Sequence, residues 1–129
     1  MYFAPTGIAA FGINGMTAHF ALSLPVRSSF NPLIPSILSK SQHQWKNIKL
    51  LTIDEKLIIG RIMAGKINSQ LQQIINNEDM GGIGILLFGD FAQPPPVADS
   101  PLYSSKISDK PLAVAGRDVY FSFNQSITL

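Results

Sequence analysis

The run LLTIDEK, Leu50 to Lys56, sends four residues, three of them aliphatic, straight into two adjacent carboxylates. A short aliphatic run of this kind reads as a buried strand. An Asp-Glu pair is costly to desolvate, so it belongs at the strand's mouth and not inside it. With the residues upstream, WKNIKLLTI (45–53) is bulky and aliphatic toward its end and is the predicted strand.

After Glu55 the period changes. Ile59, Met63, Ile67, Leu71 and Ile75 recur every four residues, one face of a helix of about five turns. Gly60 and Gly65 weigh slightly against it. NNEDMGG (76–82) is a turn and IGILLFG (83–89) a second apolar strand. DFAQPPPVADSPLY (90–103) holds four prolines and cannot be regular structure. DVYFSFNQSITL (118–129) alternates polar and aromatic residues and reads as a last strand.

Towards the start, YFA (2–4) is apolar and breaks at Pro5-Thr6-Gly7, after which IAAFGI begins a short helix. GMTAHFALSLP (15–25) forms a second unit bounded by Gly15 and Pro25, and the Ser/Pro-rich stretch 28–41 reads as a loop or insertion. Strands separated by helical crossovers predict an α/β fold with a parallel sheet.

At 129 residues the chain suffices for one small domain with a core. Hydrophobic residues at 46% and charged residues at 14% exclude a disordered tail. With no cysteine, disulfide scaffolds and thiolate metal sites are excluded as well. Before Asp54 the chain carries Arg27, Lys40, Lys46 and Lys49 and no acid; from Asp54 onward eight acids face six bases. That division suits a protein touching phosphate on one side and metal on the other, and equally an ordinary solvated surface. The first 26 residues lack Asp, Glu, Lys and Arg, but prolines and glycines interrupt them and no basic region precedes them. Neither a signal peptide nor a membrane span fits, and a soluble protein is expected.

In a parallel sheet, ligands bind beyond the carboxyl ends of the strands. Asp54-Glu55 follow one such end and Asp90 another. Asp54 alone reads as the N-cap of the following helix. As a pair, Asp54 and Glu55 match what a nucleoside triphosphatase uses to hold Mg²⁺ and orient water.

GDFAQPPPV, Gly89 to Val97, resembles the GDFxQLPPV element of the Pif (petite-integration-frequency) DNA helicases of superfamily one. LLTIDE (50–55) resembles that family's Walker B motif, and APTGIAAFGINGMTAHFALSLP (4–25) its motif Ia. The ending VYFSFNQSITL is similar to the segment that leads into the next helicase motif, as in fungal and Helitron-type copies.

The resemblance implies a RecA-like P-loop motor domain, present in part over 1–129, and an ATP-dependent DNA helicase unwinding five-prime to three-prime. It implies Mg²⁺ and ATP as cofactors, single-stranded or forked DNA as partner, and no membrane. Roles in repair, recombination and telomere maintenance are implied too, in the nucleus or alternatively in mitochondria. By the same resemblance Asp54 holds Mg²⁺ with Asp90 in support, Glu55 is the general base, and Gln93 contacts the γ-phosphate. Pro5, Thr6 and Gly7 would lie along the DNA. His19 matches the motif's histidine, as a DNA contact or as a structural residue; Trp45 and Met63 are expected to pack.

The family's Walker A loop, GxxxxGK[ST], would precede the motif Ia strand and occurs nowhere in the 129 residues. Part of the first motor domain, with the remainder of a helicase chain as its missing partner, is therefore the expectation. Lys56, Leu57 and Ile58 stand where the family has an apolar residue, then Ser-Met, and Pro94 stands for its Leu. These departures support an alternative, a catalytically dead piece that binds DNA weakly at most. An unrelated α/β domain with chance motifs is the third reading.

Overall fold

The computed structural model describes residues 1–25, 29–90 and 92–128. Arg27 of the basic half, Ser28 at the start of the Ser/Pro stretch, and Phe91 of the third motif lie outside the described residues.

The elements in chain order are β1 (Tyr2–Ala4), α1 (Gly7–Gly12), β2 (Met16–Thr17), α2 (Ala18–Ala21), α3 (Pro35–Trp45), β3 (Leu50–Ile53), α4 (Arg61–Ile74), a 3-10 turn (Asp79–Gly82), β4 (Gly84–Leu87) and α5 (Pro111–Phe121). The four strands form one sheet in the order β2-β1-β3-β4. Every pairing is parallel, with Phe3 opposite Ile53 and Ile53 opposite Leu87. The expected parallel α/β architecture is what the chain adopts.

Alternation along the strands sorts the two faces. Phe3, Leu51 and Ile53 point into one core with Leu22, Trp45, Ile67, Leu71 and Val119 from the helices. Trp45 meets Phe3 edge-to-face, ring centroids 5.6 Å apart, and its indole N–H donates to the Ala21 carbonyl at 3.4 Å. It packs, as expected. On the other face Tyr2, Leu50 and Leu86 remain about half exposed, at 54%, 47% and 45%.

The four-residue stripe after Glu55 builds α4. Ile59, Ile67 and Leu71 are buried, and Met63 and Ile75 pack at the core's margin. Gly65, a mild liability for an isolated helix, is where α5 crosses: a Cβ there would run into the Leu112 carbonyl. Gly116 on α5 is the reciprocal case, facing the Arg61 carbonyl.

Three expectations are corrected. The strand expected over 45–53 spans only Leu50–Ile53, because Trp45 closes α3 and residues 46–49 connect the two elements. The Ser/Pro stretch 28–41 is not all loop, because α3 begins at Pro35. Proline at the first helical position costs nothing, since its missing N–H would be unsatisfied there anyway. The segment read as a final strand, 118–129, holds the last turn of α5 instead: that helix runs from Pro111 to Phe121, and Ala113, Gly116 and Val119, three apart, form its buried side. The Phe121–Gln125 alternation falls almost wholly beyond the helix, which ends at Phe121.

Candidate functional site

Because the strands are parallel, β1, β3 and β4 end along one edge, and each delivers a different chemistry there. Pro5-Thr6-Gly7 follow β1, Asp54-Glu55 follow β3, and Gly89-Asp90 follow β4. Hydrogen bonds tie the three exits together. The Asp54 amide donates to the Phe3 carbonyl at 2.9 Å and the Phe88 amide to the Ile53 carbonyl at 2.8 Å; the Lys56 amide then returns to the Phe88 carbonyl at 2.8 Å.

Asp54 does not cap α4, which starts at Arg61. Its Oδ1 accepts instead from the Glu55 amide at 2.9 Å. Glu55 itself stands at φ +54°, a left-handed conformation that a residue with a Cβ adopts only when its surroundings impose it. The half-buried Glu55 side chain accepts from the Thr6 hydroxyl, Oγ1 to Oε2, at 3.4 Å. The exits of β1 and β3 are thus in side-chain contact through Thr6 and Glu55.

Asp90 is exposed and shapes its own loop. Its Oδ1 accepts from the Ala92 amide at 3.0 Å and its carbonyl from the Gln93 amide at 3.0 Å. That turn draws Gln93 back toward Gly89 and Lys56. A Cβ on Gly89 would lie 2.7 Å from Lys56 Cγ and 3.5 Å from Gln93 Oε1, so the close approach requires glycine. Gln93 Oε1 is buried with no hydrogen-bond partner. An orphaned buried acceptor of this kind is costly and calls for a donor such as a water.

No cluster of three or more His, Asp or Glu that could hold a metal by itself occurs among the described residues. The donor set does fit a magnesium nucleotide, because Mg²⁺ is commonly bound by one or two carboxylates plus phosphate oxygens and waters. Of the Asp54 carboxylate, Oδ1 is committed to the Glu55 amide.

His19, on α2, is half-buried. Burial first, and the Lys66 ammonium second, hold its pKa below the ordinary histidine value.

Asp99 is the residue that local sequence reading missed. Its carboxylate accepts from the Ile62 amide at 3.2 and 2.9 Å and from the Met63 amide at 3.2 Å, capping α4 from outside the helix. Gly60, the residue at the N-cap position, makes no side-chain cap, and a Cβ there would collide with Asp99. Arg61 continues the clasp. Its amide donates to the Ser100 carbonyl at 2.9 Å and its buried guanidinium to the Lys106 carbonyl at 2.7 Å. The loop carrying Gln93 is thereby fastened to the helix that follows Glu55. An acid just before Ser-Pro, 39 residues past a Gly-Arg helix start, was the only available signal.

A parallel sheet with this row of residues at its carboxyl edge is a RecA-like α/β domain. Residues 1–110 match the family model for PIF1-like helicases, and the chain belongs to that family. It is 35% identical over 102 residues to the ATP-dependent DNA helicase RRM3 of Saccharomyces cerevisiae, covering 74% of this chain and 14% of that protein. Against the ATP-dependent DNA helicase PIF1 of Emericella nidulans it is 31% identical over 109 residues, covering 81% and 15%. Among solved structures, Bacteroides Pif1 in complex with ADP-AlF4 superposes with a TM-score of 0.66 at 28% identity, over 77% of this chain and 24% of that one. Bacteroides Pif1 bound to single-stranded DNA gives 0.64 at 27% identity, over the same shares. The chain thus spans about a seventh of the curated relatives it matches. Among the described residues, no helix is long and apolar enough to cross a membrane.

Proposed function

We propose that these residues are the central piece of the first motor domain of an ATP-dependent DNA helicase, with motif Ia at 4–25, Walker B at 50–55 and motif III at 89–97. In this reading Asp54 holds Mg²⁺ with Asp90 in support, Glu55 orients the attacking water, and Gln93 contacts the γ-phosphate. Pro5, Thr6 and Gly7 lie along single-stranded or forked DNA, with His19 beside them. Hydrolysis would drive five-prime to three-prime unwinding in repair, recombination and telomere maintenance, in the nucleus or in mitochondria. The observation that carries the reading is the shared strand edge, which brings Thr6 against Glu55 and hangs the Gln93 loop from the next strand. Solved relatives bound to ADP-AlF4 and to single-stranded DNA support it.

A second reading, a catalytically dead piece that binds DNA weakly, has an observation of its own. Leu57 occupies the position of the family's serine and is buried, so no hydroxyl stands there. The 129 residues also contain no GxxxxGK[ST] loop. Assays of Mg²⁺-ATP turnover with and without oligothymidylate separate the two. We expect no turnover by these residues alone, whereas a DNA-stimulated rate abolished by Glu55→Gln would place catalysis in them.

A further inference from the structure

The Thr6 hydroxyl takes part in two hydrogen bonds, as acceptor in one and as donor in the other. Its lone pair accepts from the Ala9 amide at 3.3 Å, and its proton goes to Glu55 Oε2 at 3.4 Å. Hydroxyl–carboxylate bonds usually span about 2.5–3.0 Å, so this one is long and readily exchanged. The hydroxyl lies on the exposed side of the strand edge, while Glu55 is half-buried.

We infer that Thr6 is a positioning residue for Glu55, the hydrogen bond its hydroxyl donates switching between the Glu55 carboxylate and a phosphate oxygen of single-stranded DNA. The inference rests on the proposed path of DNA along Pro5–Gly7 and adds to it what the contact does. A hydroxyl donates one hydrogen bond at a time. Without DNA the Glu55 carboxylate is held toward β1; when a phosphate accepts the hydroxyl's hydrogen bond instead, the carboxylate is released. The Glu55 backbone need not move, since its amide remains bonded to Asp54 Oδ1. The two anions compete for a single donor, so each weakens the other's hold, and the effect is reciprocal.

The test is a double-mutant cycle on the chain itself, titrated with an eight-residue oligothymidylate and read by NMR at the amides of Thr6, Gly7 and Glu55. Saturation of these amides along one binding curve is expected. Glu55→Ala should tighten binding about three- to tenfold, the size of one exchanged hydrogen bond. In a Thr6→Val background the same change should have no effect, and Thr6→Ser should restore it, which also shows that loss of the donor and not of the fold is responsible. An equal gain from Glu55→Ala in both backgrounds would mean simple charge repulsion and overturn the inference while leaving the DNA reading intact. No shift at millimolar oligonucleotide would overturn both.

Discussion

Gly65 and Gly116 meet where α4 crosses α5, so closely that a Cβ on Gly116 would lie 2.8 Å from the Gly65 amide nitrogen. Both obstacles around these positions are backbone, which cannot swing aside. In an exposed helix Gly→Ala is worth about 1 kcal/mol of added stability. Here the sign should reverse: Gly65→Ala and Gly116→Ala should each cost about 1–3 kcal/mol through overpacking, measured by urea denaturation.

Asp99 supplies the cap that Gly60 does not. Asp99→Ala should destabilise the chain by about 1–2 kcal/mol, the usual worth of an N-cap acceptor, and lower its melting temperature. Hydrogen exchange should accelerate at Ile62 and Met63, the amides it accepts from, before it does at Leu71.

Trp45 is the chain's one tryptophan and is almost wholly buried. Its emission should be blue-shifted and move to the red on unfolding, giving a direct probe for the other variants. Trp45→Ala should cost about 3–5 kcal/mol by opening a cavity against Phe3.

The pH dependence turns on His19. Burial, then Lys66, lowers its pKa in the fold, so the unfolded chain takes up a proton first as pH falls. Stability from this group is therefore fully present above the ordinary histidine value of about 6.5 and is lost as pH drops toward the lowered value. His19→Gln should flatten that slope in urea titrations between pH 7.5 and 5.5. Lys66→Met should raise the His19 pKa seen by NMR.

Strands β1, β3 and β4 and helix α4 were legible because burial writes period and composition into a few consecutive residues: YFA, LLTI, ILL and the stripe from Ile59 to Ile75. The two-residue β2, Met16–Thr17, is too short to leave such a pattern. Helix α3 was hidden by Pro32 and Pro35, which look like breakers although the second merely starts the helix. Helix α5 was hidden because its buried side consists of Ala113, Gly116 and Val119, small residues chosen for contact with α4 and not for hydrophobic bulk. At the site, the motifs placed Asp54 and Glu55 at the end of β3 and Gln93 in the loop after β4. The contact of Thr6 with Glu55 spans 49 residues, and no local pattern encodes it.

The cap on α4 carries a further consequence for how the molecule is made. Asp99 lies 37 residues beyond the amide it satisfies. During synthesis, α4 and β4 leave the ribosome before their clasp exists, so the first turn of that helix stays frayed. It closes only once the proline loop and Asp99 have emerged, and the loop bearing Gln93 and the helix behind Glu55 acquire their final shape together.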